Sequence, residues 1–193
     1  MPLDTQLDVE REPDGSLRVL EGDAFVVEVR PAPEFDVEVP VPPSLDEARV
    51  AAERYRGVSD GVFSRCFVCG RAREDAFGVF AGEVEGRELV ASPWKPPPWT
   101  ADDRGHVRPE FVWAVLDCPT YFAAYAREEL PMSVLARLTA RLDAPLVAGD
   151  EHIVMAWPIG AEGRKRHAGA AVVSPEGRVL AVARALLIEP RAD

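Results

Sequence analysis

The chain has 193 residues, of which 47% are hydrophobic, and a formal net charge of -11. That apolar content excludes a disordered segment, and the length provides for one sizeable core or two small ones. A surface this acidic repels polyphosphate and has no basic stripe interleaved with aromatics, so no nucleic-acid partner is expected.

The opening MPLDTQLDVEREPDG is polar and acidic, unlike a signal peptide. No apolar run approaches the ~20 residues that span a bilayer. Three cysteines, an odd number, without an export signal point to a reducing cytoplasm.

Residues 5–30 read as three strands. TQLDVERE alternates apolar and polar, PDG turns, SLRVL alternates again, EGD turns, and AFVVEVR forms the third run. The proline-rich PAPEFDVEVPVPPS is an extended connector. Ser44 and Glu47 then form a capping box ahead of LDEARVAAERYRG, a short helix stopped at Gly57. Residues 1–43 are thus expected to be a strand region with its connector, 44–62 a linker helix, and 63–193 the main domain.

AFGVFAG and RELVASPW read as short strands, followed by the irregular loop KPPPWTADDRG. In RPEFVWAVLDCPTYFAAYAREEL, residues 111–116 are apolar all round, which predicts a helix buried on every side. Pro119 cannot donate to Val115, so a kink or a restart is expected there. SVLARLTARL fits strand or helix, with Leu135, Leu138 and Leu142 at helical spacing; its context favours strand. HIVMAWPIG and HAGAAVVSPEGRVLAVARALLIE complete a run of strands, with PEGR as a hairpin turn. A single apolar helix among antiparallel strands requires a curved sheet around it. EGDAFVVEVRPA also echoes PEGRVLAVARALLIE, which suggests that the N-terminal strands are a degenerate partial copy of the sheet-forming half.

CFVCGRA, VASPWKPP, GHVRPEFVWAVLDCP and GRKRHAGAAVVSPEGRVLAVARALLI together resemble the hotdog-fold acyl-CoA thioesterase superfamily, in particular its actinobacterial thioesterase-like branch. PEFVWAVLDCP is the most specific piece. The resemblance covers residues 63–188 and extends to 5–30 only as a partial second unit. It implies an α+β hotdog fold, an antiparallel sheet wrapped around a central helix with a partial N-terminal second hotdog unit. It also implies units that pair, hence a homodimer, with active sites between them.

Asp117 stands where the family's acidic residue activates water against a thioester carbonyl. Read from the residues alone it is either a carboxylate tuned by burial or the N-cap of a second helix over PTYFAAYAREEL. Glu110 reads as an acid or base, or as a first-turn acid that favours the helix dipole. His106 orients water or a carbonyl, or is an exposed loop residue. Arg164, Lys165, Arg166 and His167 form a basic run suited to the phosphates of a coenzyme A-like ligand, or a solvated turn. Trp94, Trp99 and Trp113 either pack the core or line an acyl pocket, Trp94 and Trp113 being the substrate-binding candidates. The sequence departs from the family where active relatives carry His-Gly-Gly: Arg108, Pro109 and Glu110 stand there instead. That departure favours the alternative of a hotdog protein that binds acyl-CoA or another apolar ligand without turnover. The paired histidine and acid of a dehydratase are not evident.

Cys66 and Cys69 lack a second pair, and a metal site completed by His106 and Cys118 requires the loop to reach the helix, so a packed turn is expected instead. No cofactor is expected.

Overall fold

The computed structural model of the chain describes residues 4–57, 61, 63–126 and 128–191. The chain divides into two compact units, Met1–Asp36 and Val37–Asp193.

The first unit is an antiparallel meander of β1 (Asp8–Arg11), β2 (Leu17–Glu21) and β3 (Ala24–Val29). Its first turn closes because Asp14 accepts from both the backbone N–H and the hydroxyl of Ser16, while Gly15 takes a φ of 85° that other residues resist. Val9, Phe25, Val27 and Val29 remain exposed on this sheet.

The second unit begins with α1 (Leu45–Glu53), whose capping box is formed as expected. Ser44 Oγ accepts from Glu47 N at 3.2 Å and Ser44 N donates to Glu47 Oε2 at 2.7 Å. The helix ends a turn before Gly57, because Tyr55 is drawn into the core and its hydroxyl donates to the Cys69 carbonyl at 2.8 Å. Residues 58–60 and 62 of the expected linker lie outside the described residues. The helix packs on β4 (Gly82–Glu83) and β5 (Val90–Trp94). A Cβ at Gly82 would lie 1.9 Å from the Ala51 carbonyl oxygen, so only glycine allows this approach. AFGVFAG is mostly not ladder strand. Phe77 N and Val79 N instead bond the carbonyls of Phe67 and Val68 at 2.9 and 3.1 Å, tying this segment to the cysteine turn.

A long helix, α2 (Pro109–Ala124), precedes β6 (Val134–Leu142), β7 (His152–Glu162), β8 (Lys165–Val173) and β9 (Val179–Ile188). The six strands of this unit form one antiparallel sheet in the order β4-β5-β7-β8-β9-β6. SVLARLTARL is therefore a strand, held along its length by β9. The 174–178 turn closes the β8–β9 hairpin, with Gly177 at a φ of 84°. Helix α2 lies across the sheet and packs against β5 through β9, the hotdog arrangement expected from the sequence.

Two expectations for α2 change. It runs through Pro119 as one continuous helix, so no second helix starts there and Asp117 caps nothing. The Thr120 hydroxyl donates to the Asp117 carbonyl at 2.7 Å within that turn. Nor is the helix buried on every side. Val112, Val115, Leu116, Pro119, Thr120, Phe122 and Ala123 face the core, whereas Trp113 is 37% exposed. A sheet covers one side of a helix; the other is left to loops, and Trp113 lies beyond their reach.

His152, at the start of β7, is buried; its Nε2 lies 3.2 Å from the Val147 carbonyl and its Nδ1 has no partner. Burial holds its pKa below the usual 6.5, against the upward pull of the Val147 carbonyl and of Asp150, while the Trp94 ring packs beside it. Below pH 6.5 the unfolded chain therefore binds a proton that the folded ring resists, and stability falls as pH falls. His152→Gln is expected to lose less melting temperature than the wild type between pH 6.5 and about 5. Parallel melting curves for the two proteins across that window would contradict this.

Candidate active site on the central helix

Along α2, the half-buried positions Phe111, Ala114, Asp117 and Cys118 form a stripe between the buried face and solvent. Their i, i+3, i+6 and i+7 spacing places them on one side of the helix. At the C-terminal part of this stripe lies a cavity of about 110 Å³. Phe63, Tyr121, Phe122, Leu135 and Leu187 supply its apolar walls, and Asp117 its carboxylate. Tyr121 is held in place by its hydroxyl, which donates to the Pro131 carbonyl at 2.8 Å, and by edge contacts with Phe63 and Phe122 at 5.2 Å.

Among the described residues no donor meets the Asp117 side chain. Burial pushes its carboxyl up to about 6, and the nearby Cys66 sulfur adds to the shift. The same cavity holds a second polar group, Ser133. Its Oγ is buried and approaches the Tyr125 phenol without reaching hydrogen-bond geometry, which leaves a hydroxyl available to a ligand. Sequence reasoning missed Ser133, since a lone serine before a strand carries no signal of its own.

The other expected site residues lie apart from this cavity. Glu110 is exposed in the first turn of α2, 3.4 Å from Arg108. His106 sits in the preceding loop, its backbone N–H donating to Asp102 at 2.9 Å. Trp94 is buried in the core against Phe77, with centroids 5.8 Å apart, and Trp113 points outward. Arg164 lies in the turn before β8 with its guanidinium donating to the Glu189 carbonyl, and Lys165 beside it is exposed. Arg166 is engaged within the fold: it pairs with Glu189 at 3.2 Å and Glu128 at 3.4 Å and lies 5.4 Å over the Tyr125 ring. His167 is half-buried between β7 and β9. Only Asp117 of the expected residues faces the cavity.

The cysteines depart furthest from expectation. CFVCG is the turn foreseen, but Cys118 from α2 meets it, and the three sulfurs lie within 4.8 Å of one another. Cys66 Sγ and Cys118 Sγ are 3.4 Å apart across 52 residues of sequence. The Cys66 thiol is held far below its usual value, first by its hydrogen bond with Cys118, then by that with Cys69. The contact with Cys66 raises Cys118 in turn.

No protein-family model matches the chain, and no curated protein matches it. Solved structures do. A thioesterase superfamily protein aligns over 63% of this chain and 61% of its own length, with a TM-score of 0.56 at 18% identity. The chain thus spans about three-fifths of that relative. A thioesterase superfamily protein from Shewanella loihica PV-4 matches over 63% of this chain and 98% of its own, with a TM-score of 0.51 at 19% identity. A phenylacetic acid degradation-related protein from Ralstonia eutropha JMP134 matches over 65% and 96%, with a TM-score of 0.54 at 17% identity. These likenesses establish the fold: the chain has the hotdog fold of thioesterase superfamily structures. Among the described residues, no helix is long and apolar enough to cross a membrane.

Proposed function

We propose that this chain hydrolyses an acyl thioester, with coenzyme A as the carrier, and that Asp117 is the general base. The observation that carries the reading is a carboxylate on the central helix that lines an apolar cavity and has no donor among the described residues. Apolar walls receive the acyl chain and the carboxylate takes a proton from the attacking water. The Ser133 hydroxyl is the donor for the carbonyl oxygen, which gathers negative charge as water adds.

The N-terminus of α2 does not do this within one chain. Eight residues separate Pro109 from Asp117, and a rise of 1.5 Å per residue sets them about 12 Å apart, whereas attacking and attacked atoms meet at about 3 Å. The exposed Trp113 and the edge strand β6, with exposed Val134 and with Leu135 lining the cavity, suit a second copy of the chain, hence a homodimer. The alternative of binding without turnover is favoured by Pro109 and Glu110 at the helix start, one removing a donor and the other adding negative charge.

A panel of acyl-CoA substrates assayed by thiol release tests the reading. Asp117→Asn is expected to lower kcat by about 10²–10⁴-fold while raising the melting temperature at pH 8, because it removes a buried charge without a partner. An unchanged rate removes Asp117 from the mechanism. Ligand-induced melting shifts without thiol release select the binding protein instead. Sedimentation equilibrium is expected to give a dimer at micromolar concentration; a monomer would contradict the paired arrangement.

A further inference from the structure

We propose that Cys66, Cys69 and Cys118 bind one zinc ion through three thiolates, with a fourth position open to water on the side of the cavity. Two features of the geometry meet here.

The first is convergence. The sulfurs come from a turn and from the middle of α2, and all lie within 4.8 Å of one another. Zinc–sulfur bonds of about 2.3 Å place tetrahedral sulfurs about 3.8 Å apart, so the trio closes on an ion with shifts of about 1 Å or less. The second is the turn. Val68 N–H donates to Cys66 Sγ at 3.4 Å and Gly70 N–H to the Cys66 carbonyl at 2.9 Å, so the turn sets a backbone donor on the sulfur that meets α2. A Cβ at Gly70 would lie 2.5 Å from the carbonyl oxygens of both Ser64 and Cys66, so glycine is required for the turn to close.

On binding, each of the three cysteines coordinates as the thiolate, any thiol proton passing to solvent, and no redox change occurs. Thiolates select zinc over magnesium or calcium, whose ligands are oxygens. Cys69 and Cys118 also line the cavity, so the open position faces it. The ion ties the 66–70 turn to α2, reinforcing the Cys66–Cys118 contact that already joins them.

The test uses the full chain, reduced and freed of metal. Cobalt(II) is expected to bind one per chain with the sulfur-to-metal charge-transfer absorption of a tetrahedral thiolate site, and zinc is expected to displace it. Cys118→Ser and Cys69→Ser are expected to lose that absorption and to bind roughly 100-fold more weakly, beyond the loss of a supporting partner alone. Should either variant fold poorly, alkylation of the wild type decides: zinc is expected to protect all three thiols, and a chelator to restore their reaction. Equal alkylation with and without zinc overturns the proposal. So does a chain isolated with Cys66 and Cys118 joined as a disulfide that, once reduced, binds no cobalt.

Discussion

The structure depends on covering α2. PEFVWAVLDCPTYFAA has too much apolar surface to lie in water, and burying it is the largest favourable contribution this domain makes to folding. The sheet solves half of the problem, with Val154, Ala156, Ala170, Val172, Ala181 and Ala183 packed beneath the helix at zero exposure. Small residues on the strands let the helix sit close. The other half falls to the segment between α1 and β5, where Tyr55, Phe67, Phe77 and Val79 close over the stripe of Phe111 and Ala114.

That second cover is incomplete, and the incompleteness makes the site. Phe63, Tyr121 and Phe122 meet around a space rather than filling it, and the polar residues of the helix fall at its edge. Asp117 and Cys118 are neighbours in sequence yet serve different surroundings. One meets an apolar cavity without a partner; the other meets two further sulfurs. A carboxylate without a donor is a cost to folding, and such costs gather where chemistry is done.

Much of the fold was legible in the sequence because it is written in local terms. The capping box at Ser44 and the turns at Gly15 and Gly177 each depend on residues a few positions apart. Even the ambiguous SVLARLTARL resolved as context suggested, since β9 offers it a ladder. Pro119 misled, because a proline removes one hydrogen bond from a helix without ending it when packing holds both sides. Of the residues lining the cavity, the sequence pointed to Asp117 alone. The cysteine cluster depends on the rotational phase of α2 and on the path of a loop about fifty residues earlier, and neither follows from spacing. The basic run misled for a related reason: Arg166 had acidic partners far along the chain, at Glu128 and Glu189.

The central claim is that the cavity beside Asp117 receives an acyl thioester. A crystal structure with a non-hydrolysable acyl-CoA analogue tests it most directly. The account predicts the acyl chain among Phe63, Tyr121, Phe122, Leu135 and Leu187, with the carbonyl within reach of the Ser133 hydroxyl and one water between it and the Asp117 carboxylate. An acyl chain bound elsewhere, with this cavity closed by its own side chains, would contradict it.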